Sequence, residues 1–215
     1  LSSQNIDEEW SRLEQEIYNC TKCRLHLNRR KAVPGEGNRK TLVVFIGEAP
    51  GEKEDEKGRP FVGAAGKLLT ELIESIGYKR SDFYITNVVK CRPPNNRDPE
   101  EDEIAACLPY LLRQLELIKP RVIIALGRHA GRIIFQLAGL KWTSMSVNHG
   151  RIYNAKILGF EVKIIPTYHP ASALYKPPLR SVLEEDFKNT IKPVIDEEIT
   201  GKQKPRRKTL FDYMK

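Results

Sequence analysis

The chain has 215 residues, with 36 Lys and Arg against 28 Asp and Glu, a net charge of +8, and four cysteines. That length buries a full core without disulfides, no apolar run approaches the ~20 residues of a membrane span, and the basic excess favours a polyanionic partner because Lys and Arg displace phosphate counterions. The acidic, amphipathic first residues do not read as a secretory leader, so a cytoplasmic protein is expected, with cysteines that serve as ligands or core residues rather than disulfides.

Ile6, Trp10, Leu13 and Ile17 recur at helical spacing and predict a first helix that ends in NCTKCRLHL. TLVVFIG, from Thr41, is a short β-branched run suited to a buried parallel strand. After a polar, glycine-rich stretch, Leu68, Leu69, Leu72, Ile73 and Ile76 form one helical face, stopped by Gly77. DFYITNVVKC is the second strand, followed by the loop RPPNNRDP. Asp98 is expected to cap the next helix, with Pro99 at its first position and Glu101 three residues after the cap. Ile104, Leu108, Leu111, Leu115 and Ile118 line that helix, and Pro109 is expected to kink it. RVIIALG is the third strand, and Arg128 to Leu137 the helix after it. VNHGRIYN reads as a hairpin or an edge strand, EVKIIPTYHP as the fourth main strand, and Ser181 to Ile195 as the closing helix.

Strands alternating with helices predict an α/β fold of three layers, α/β/α, around a central, mainly parallel four-stranded sheet. Residues 1–195 form the expected domain and residues 196–215 a charged tail. In such folds sites lie outside the carboxyl ends of the strands. Here those ends are GEAPG, TNVVKC, LGRHAG and TYHPAS, which topology brings to one place.

The cysteines are spaced as Cys20-x2-Cys23, then Cys91, then Cys107. A Cys-x2-Cys loop is half of a metal site, but the second pair is too far apart for a zinc ribbon knuckle. Iron–sulfur clusters take ligands from separate elements, so spacing alone leaves zinc and a cluster both open.

Four motifs then coincide: GEAPGEKED from Gly47, RPFVGAAG from Arg59, TNVVKCRPPNNRDP from Thr86 and HPAS from His169. With the four cysteines in order, the chain resembles the family 4 uracil-DNA glycosylases, the iron–sulfur, thermophile-type members of their superfamily. The resemblance covers roughly Asp7 to Ile195. It implies a monofunctional enzyme that hydrolyses the glycosidic bond of deoxyuridine in single- or double-stranded DNA, and a [4Fe-4S] cluster on Cys20, Cys23, Cys91 and Cys107.

It also implies a site. Phe61 is the expected platform beneath the flipped base, Asn87 reads the uracil edge, and His169 faces O2, where negative charge develops. Gly47, Glu48 and Ala49 turn backbone groups to the pocket, and Glu48 is expected to polarise the water. Family 1 enzymes have GQDPYH here, with Asp where this chain has Ala49. Glu54 is expected to exclude the methyl group of thymine. Leu174 or Tyr175 is the expected wedge into the stack, with Tyr168 and Ser172 beside the strand and Lys90, Arg92, Arg97, Lys176 and Arg180 on phosphates. His26, His129 and His149 lack such motifs and read as structural.

In the tail, RKTLFDYM is similar to a box that binds the replication sliding clamp, with Leu210, Tyr213 and Met214 at its apolar and aromatic positions. Arg207 and Met214 depart from the usual Gln and second aromatic. A monomer is expected. The alternative to an enzyme is a non-catalytic iron–sulfur nucleic-acid-binding protein, which would bind DNA without releasing uracil.

Overall fold

The computed structural model describes residues 3–201. In chain order the elements are α1 (Ser3–Tyr18), β1 (Glu36–Gly37), β2 (Val43–Gly47), α2 (Glu52–Lys57), α3 (Ala64–Ser75), β3 (Tyr84–Asn87), α4 (Glu101–Ile118), β4 (Val122–Leu126) and α5 (Arg128–Leu137), then α6 (Met145–Asn148), β5 (Tyr153–Ile157), β6 (Phe160–Thr167), α7 (Pro170–Tyr175), α8 (Pro178–Asp186) and α9 (Lys192–Thr200). A π-helical turn, Phe187–Ile191, joins α8 to α9, so the closing helical run continues past Ile195. The clamp-box residues Leu210, Tyr213 and Met214 lie outside the described residues.

The strand order is β1-β3-β2-β4-β6-β5. The four inner strands are parallel, as expected. The sheet nevertheless has six strands, because β1 and β5 add antiparallel edges. The edge strand β1, of two residues, hides from pattern reading, and β5 alternates half-buried with exposed positions. In VNHGRIYN, Val147 and Asn148 end a short helix, and the edge strand begins only at Tyr153.

Alternation along the inner strands divides the core into two faces. Val44, Ile46, Ile123 and Ala125 meet Trp10, Leu13 and Ile17 of α1, with Leu111 and Leu115 of α4 and Ile134 of α5. Val43, Phe45, Ile124 and Leu126 meet Leu69 and Leu72 of α3 with Leu183, Phe187 and Ile195 of the closing run. The three layers predicted from the sequence follow.

The cap of α4 differs from expectation. Glu100, not Asp98, is the N-cap, and its N–H donates to Glu103 Oε2 over 2.8 Å in a reciprocal capping box. Pro99 and Asp98 therefore lie outside the helix, which frees Asp98 for another use. The helix runs on through Pro109 to Ile118.

Chain order leaves β2 with β3 on one side and β4 on the other. That reversal of direction opens a crevice beyond the strand ends. Gly47, Asn87, Gly127 and His169 stand there, at or just after β2, β3, β4 and β6.

Candidate active site

Gly47 and Asn87 are register partners at the last rungs of β2 and β3. Beyond them the chains stay clamped: Val88 N–H donates to the Gly47 carbonyl and Val89 N–H to the Glu48 carbonyl, each over 2.9 Å. A methyl group on Gly47 would collide with Asn87 Oδ1 and with the Phe61 ring. The floor of the crevice is thus a glycine with an amide and an aromatic ring closing over it. Asn87 is 1 % exposed and its Oδ1 has no hydrogen-bond partner in the protein. A buried acceptor that no protein donor meets is a candidate for a ligand donor when it faces a crevice.

Phe61 carries a φ of +50°, a left-handed conformation that a bulky side chain adopts only when its surroundings force it. The force comes from Glu54. Its Oε1 accepts the N–H groups of both Val62 and Gly63 over 2.8 Å, at the start of α3. From the other side, Gly66 packs so closely that a side chain there would strike the Phe61 carbonyl. Glu54 thus organises the loop that delivers the ring, a role its place in a charged run did not announce.

The Phe61 ring stacks on His169, centroids 5.6 Å apart and 28° from parallel. His169 is the N-cap of α7, and its Nδ1 accepts the Ala171 N–H over 3.1 Å. With Nδ1 used as an acceptor, the ring proton is assigned to Nε2. His169 keeps some surface at the crevice, but protein crowds the ring elsewhere, and burial pushes its pKa down to about 4 against the opposing charge of Glu54. At neutral pH it is a neutral imidazole with one N–H to donate.

Glu48 is half-buried on the far wall. Burial raises its pKa to about 7, Asp98 adds to the rise and Arg128 opposes it. Glu48, Asp98 and His129 bring ligand atoms within 4.8 Å of one another. His129 Nε2 lies 2.8 Å from Asp98 Oδ2, and burial holds the His129 pKa down. His129, read from the sequence as structural, therefore stands beside the candidate base. The signal was its place at the end of the third strand.

A model of the uracil DNA glycosylase superfamily matches residues 34–192. The chain belongs to the uracil-DNA glycosylase superfamily. Among its relatives is the type-4 uracil-DNA glycosylase of Saccharolobus solfataricus, 54 % identical over 189 residues, 87 % of this chain and 88 % of the relative. The type-4 enzyme of Archaeoglobus fulgidus is 53 % identical over 200 residues, 93 % of this chain and 96 % of the relative. That of Thermotoga maritima is 49 % identical over 177 residues, 81 % and 89 % of the two chains. Within the superfamily the chain is of the type-4 kind.

All four cysteines line one enclosed cavity with Ile17, Val89 and Tyr110, and none is in a disulfide. Donors already face the sulfurs: Arg29 Nη1 reaches Cys91 Sγ at 3.0 Å, and the Lys90 N–H reaches Cys107 Sγ at 3.2 Å. Burial pushes the Cys23, Cys91 and Cys107 thiols upward, so thiolates here need added positive charge. The donor set fits an iron–sulfur cluster.

The residues expected on DNA divide. Leu174 and Tyr175 are 47 % and 84 % exposed at the end of α7, and Lys176 is exposed beside them. Ser172 is half-buried on the same helix, and Tyr168 packs its ring on His149. Arg92 bonds Asn96 over 2.7 Å. Arg180 pairs with Glu184 and Glu71 yet stays half exposed. Arg97 is spent on the buried Glu103 of the α4 cap, at 2.6 and 2.8 Å. Lys90 requires correction. It is 1 % exposed and its ammonium is fully engaged inside the protein, so no phosphate reaches it.

Proposed function

We propose that this superfamily member is a monofunctional uracil-DNA glycosylase whose pocket is formed by Gly47, Glu48, Ala49, Phe61, Asn87 and His169. The observation that carries the pocket is the open, buried Oδ1 of Asn87 between Gly47 and Phe61. Uracil presents an N3–H donor to that acceptor. Cytosine presents a bare N3 and would leave two acceptors facing each other, a mismatch that desolvation makes costly. The flipped base lies against the Phe61 ring.

When the C1′–N1 bond breaks, its electron pair goes to the base and charge gathers on O2. The Nε2–H of His169 is a neutral donor at working pH, so it stabilises that charge without first losing a proton. Water adds to C1′ and gives its proton to the Glu48 carboxylate, the group that the Ala49 position cannot supply. Glu54 acts on thymine rejection through the loop it holds, since its Oε1 is committed to Val62 and Gly63.

Leu174 and Tyr175 form the wedge, and Lys176, Arg180 and Arg92 supply phosphate contacts, with Tyr168 and Ser172 alongside. Cys20, Cys23, Cys91 and Cys107 hold a [4Fe-4S] cluster, which ties α1, the loop after β3 and α4 together and supplies no redox step to a hydrolysis. Residues 196–215 add a sliding-clamp contact through Leu210, Tyr213 and Met214. The protein acts as a monomer in the cytoplasm. The deciding experiment is incubation with a uracil-containing single strand and a matching duplex. Free uracil and an alkali-labile abasic site are expected; binding without release from either would favour the non-catalytic alternative.

A further inference from the structure

Lys90 is the one buried cation among the described residues. Its Nζ lies 2.6 Å from the Asn87 carbonyl, 2.7 Å from Thr86 Oγ1 and 2.7 Å from Gln114 Oε1. All three partners act as acceptors. The Thr86 hydroxyl sends its own proton to the Pro34 carbonyl over 2.7 Å, which leaves lone pairs for Lys90. Gln114 Nε2 donates to that same carbonyl and to the Tyr84 hydroxyl, which turns its Oε1 towards Lys90. Three acceptors around one amine match the three protons of an ammonium. None of these partners carries negative charge, and burial pushes the Lys90 pKa down to about 7, so a full ammonium at this place needs a counter-charge.

The main chain of Lys90 faces the other way. Its N–H donates to Cys107 Sγ and the next residue is Cys91. One residue therefore touches the cysteine site with its backbone and the Asn87 peptide with its side chain. Four thiolates around a cluster would supply the missing negative charge.

We propose that Lys90 is a positioning residue that holds the Asn87 peptide, and with it the uracil-reading amide, to the cysteine scaffold. The inference rests on the glycosylase reading and on a loaded cysteine site. Base recognition is then set from beneath the pocket, through Thr86, Lys90 and Gln114, none of which touches the base.

The test uses Lys90→Met and Thr86→Val in the protein as purified with its iron. Iron per chain, affinity for free uracil by calorimetry, and kcat and KM on a uracil-containing single strand are measured together. In Lys90→Met, uracil affinity and kcat should fall about tenfold or more, as for a lost charged hydrogen bond, while KM for the strand stays within about twofold because the strand is held by surface residues. Thr86→Val keeps the cation and loses one acceptor, so a fall of about threefold is expected at full iron. The reduction potential of the cluster should move negative in Lys90→Met and stay in Thr86→Val. Wild-type uracil affinity at full iron in either variant overturns the proposal. If Lys90→Met does not fold or load iron, Thr86→Val decides alone. A wild-type protein that neither binds nor releases uracil would instead overturn the glycosylase reading.

Discussion

The rings of Phe61 and His169 lie 5.6 Å apart between centroids, 28° from parallel, although one follows α2 and the other begins α7. The contact joins the proposed platform to the proposed oxyanion donor before any base arrives. Each ring limits the motion of the other, so the pocket is organised in the free protein, which is what differential binding of a transition state requires.

Phe61→Leu should lower kcat/KM on uracil-containing DNA by roughly 5- to 150-fold, the equivalent of the ~1–3 kcal/mol that base–aromatic stacking contributes. Leucine keeps the apolar contact with Leu69 and its neighbours in that core, so thermal stability should move little beside the activity. Steady-state kinetics and a melting curve, run together, check this.

His169→Asn should cost about 10²–10³ in kcat, the usual loss of a donor aimed at developing charge. It should also change the acid stability. Burial depresses the folded pKa of His169 to about 4, so the unfolded chain binds more protons between the two pKa values. Stability from this group is complete above about 6.5 and is lost as pH falls towards 4. The variant should flatten that part of a stability-versus-pH curve measured by urea unfolding.

Single-turnover rates should rise with pH through about 7, because Glu48 acts ionised and burial raises its pKa to about 7. Asp98→Asn removes a charge that raises this pKa, so the limb should shift to lower pH. Arg128→Gln removes an opposing charge and should shift it higher. Glu48→Gln should abolish the limb and lower the plateau. A pH–rate profile unchanged in Glu48→Gln would remove Glu48 as the base.

Glu54→Ala deprives Val62 and Gly63 of their shared acceptor. A loss of about 1–2 kcal/mol in stability is expected, as for a deleted helix cap. Released from Glu54, Phe61 can leave its left-handed conformation, so kcat for uracil should fall and the ratio of uracil to thymine excision should narrow. Excision assays on paired U·G and T·G duplexes read both effects.

Leu174→Ala and Tyr175→Ala should each weaken binding to duplex DNA that holds an abasic site, by several-fold, while single-turnover cleavage of a single strand changes little. A wedge fills the gap left in a stacked duplex, and a single strand offers no such gap. Fluorescence anisotropy on the two DNAs separates the roles, and equal affinity in both variants would rule out the wedge.

Much of the design was legible in the residue order. The inner strands announced themselves as β-branched runs and the helices as 3.6-residue stripes, and the motif resemblance pointed to Asn87 and His169 at strand ends and to Phe61 in the loop between α2 and α3. Of the edge strands, β1 was not legible, since two residues leave no period, whereas the edge strand read into VNHGRIYN exists but starts later, at Tyr153. The cap of α4 was misplaced by two residues because Asp98 and Glu100 both satisfy a local capping pattern. Glu100 takes the cap through its box with Glu103, while Asp98 lies beside His129 and Arg128. Gln114 did leave a trace: it falls on the apolar stripe of α4 between Leu111 and Leu115, an amide where the core expects a hydrocarbon.

What the sequence determined by itself was the order of elements, the parallel inner sheet, the four cysteines and the set of residues at the strand ends. Those depend on local periodicity and on motifs that survive in one dimension. What only the tertiary structure decided was the direction each side chain takes once the strand has ended. Lys90 looks like a surface cation beside Arg92, yet it turns inward, because Thr86, Asn87 and Gln114 offer three oxygens from two elements that meet only in the folded chain. Glu54, one charge among several on α2, becomes the anchor of Phe61 for a related reason: the helical period sets the face it occupies, but only the fold brings the Val62 and Gly63 N–H groups to its carboxylate.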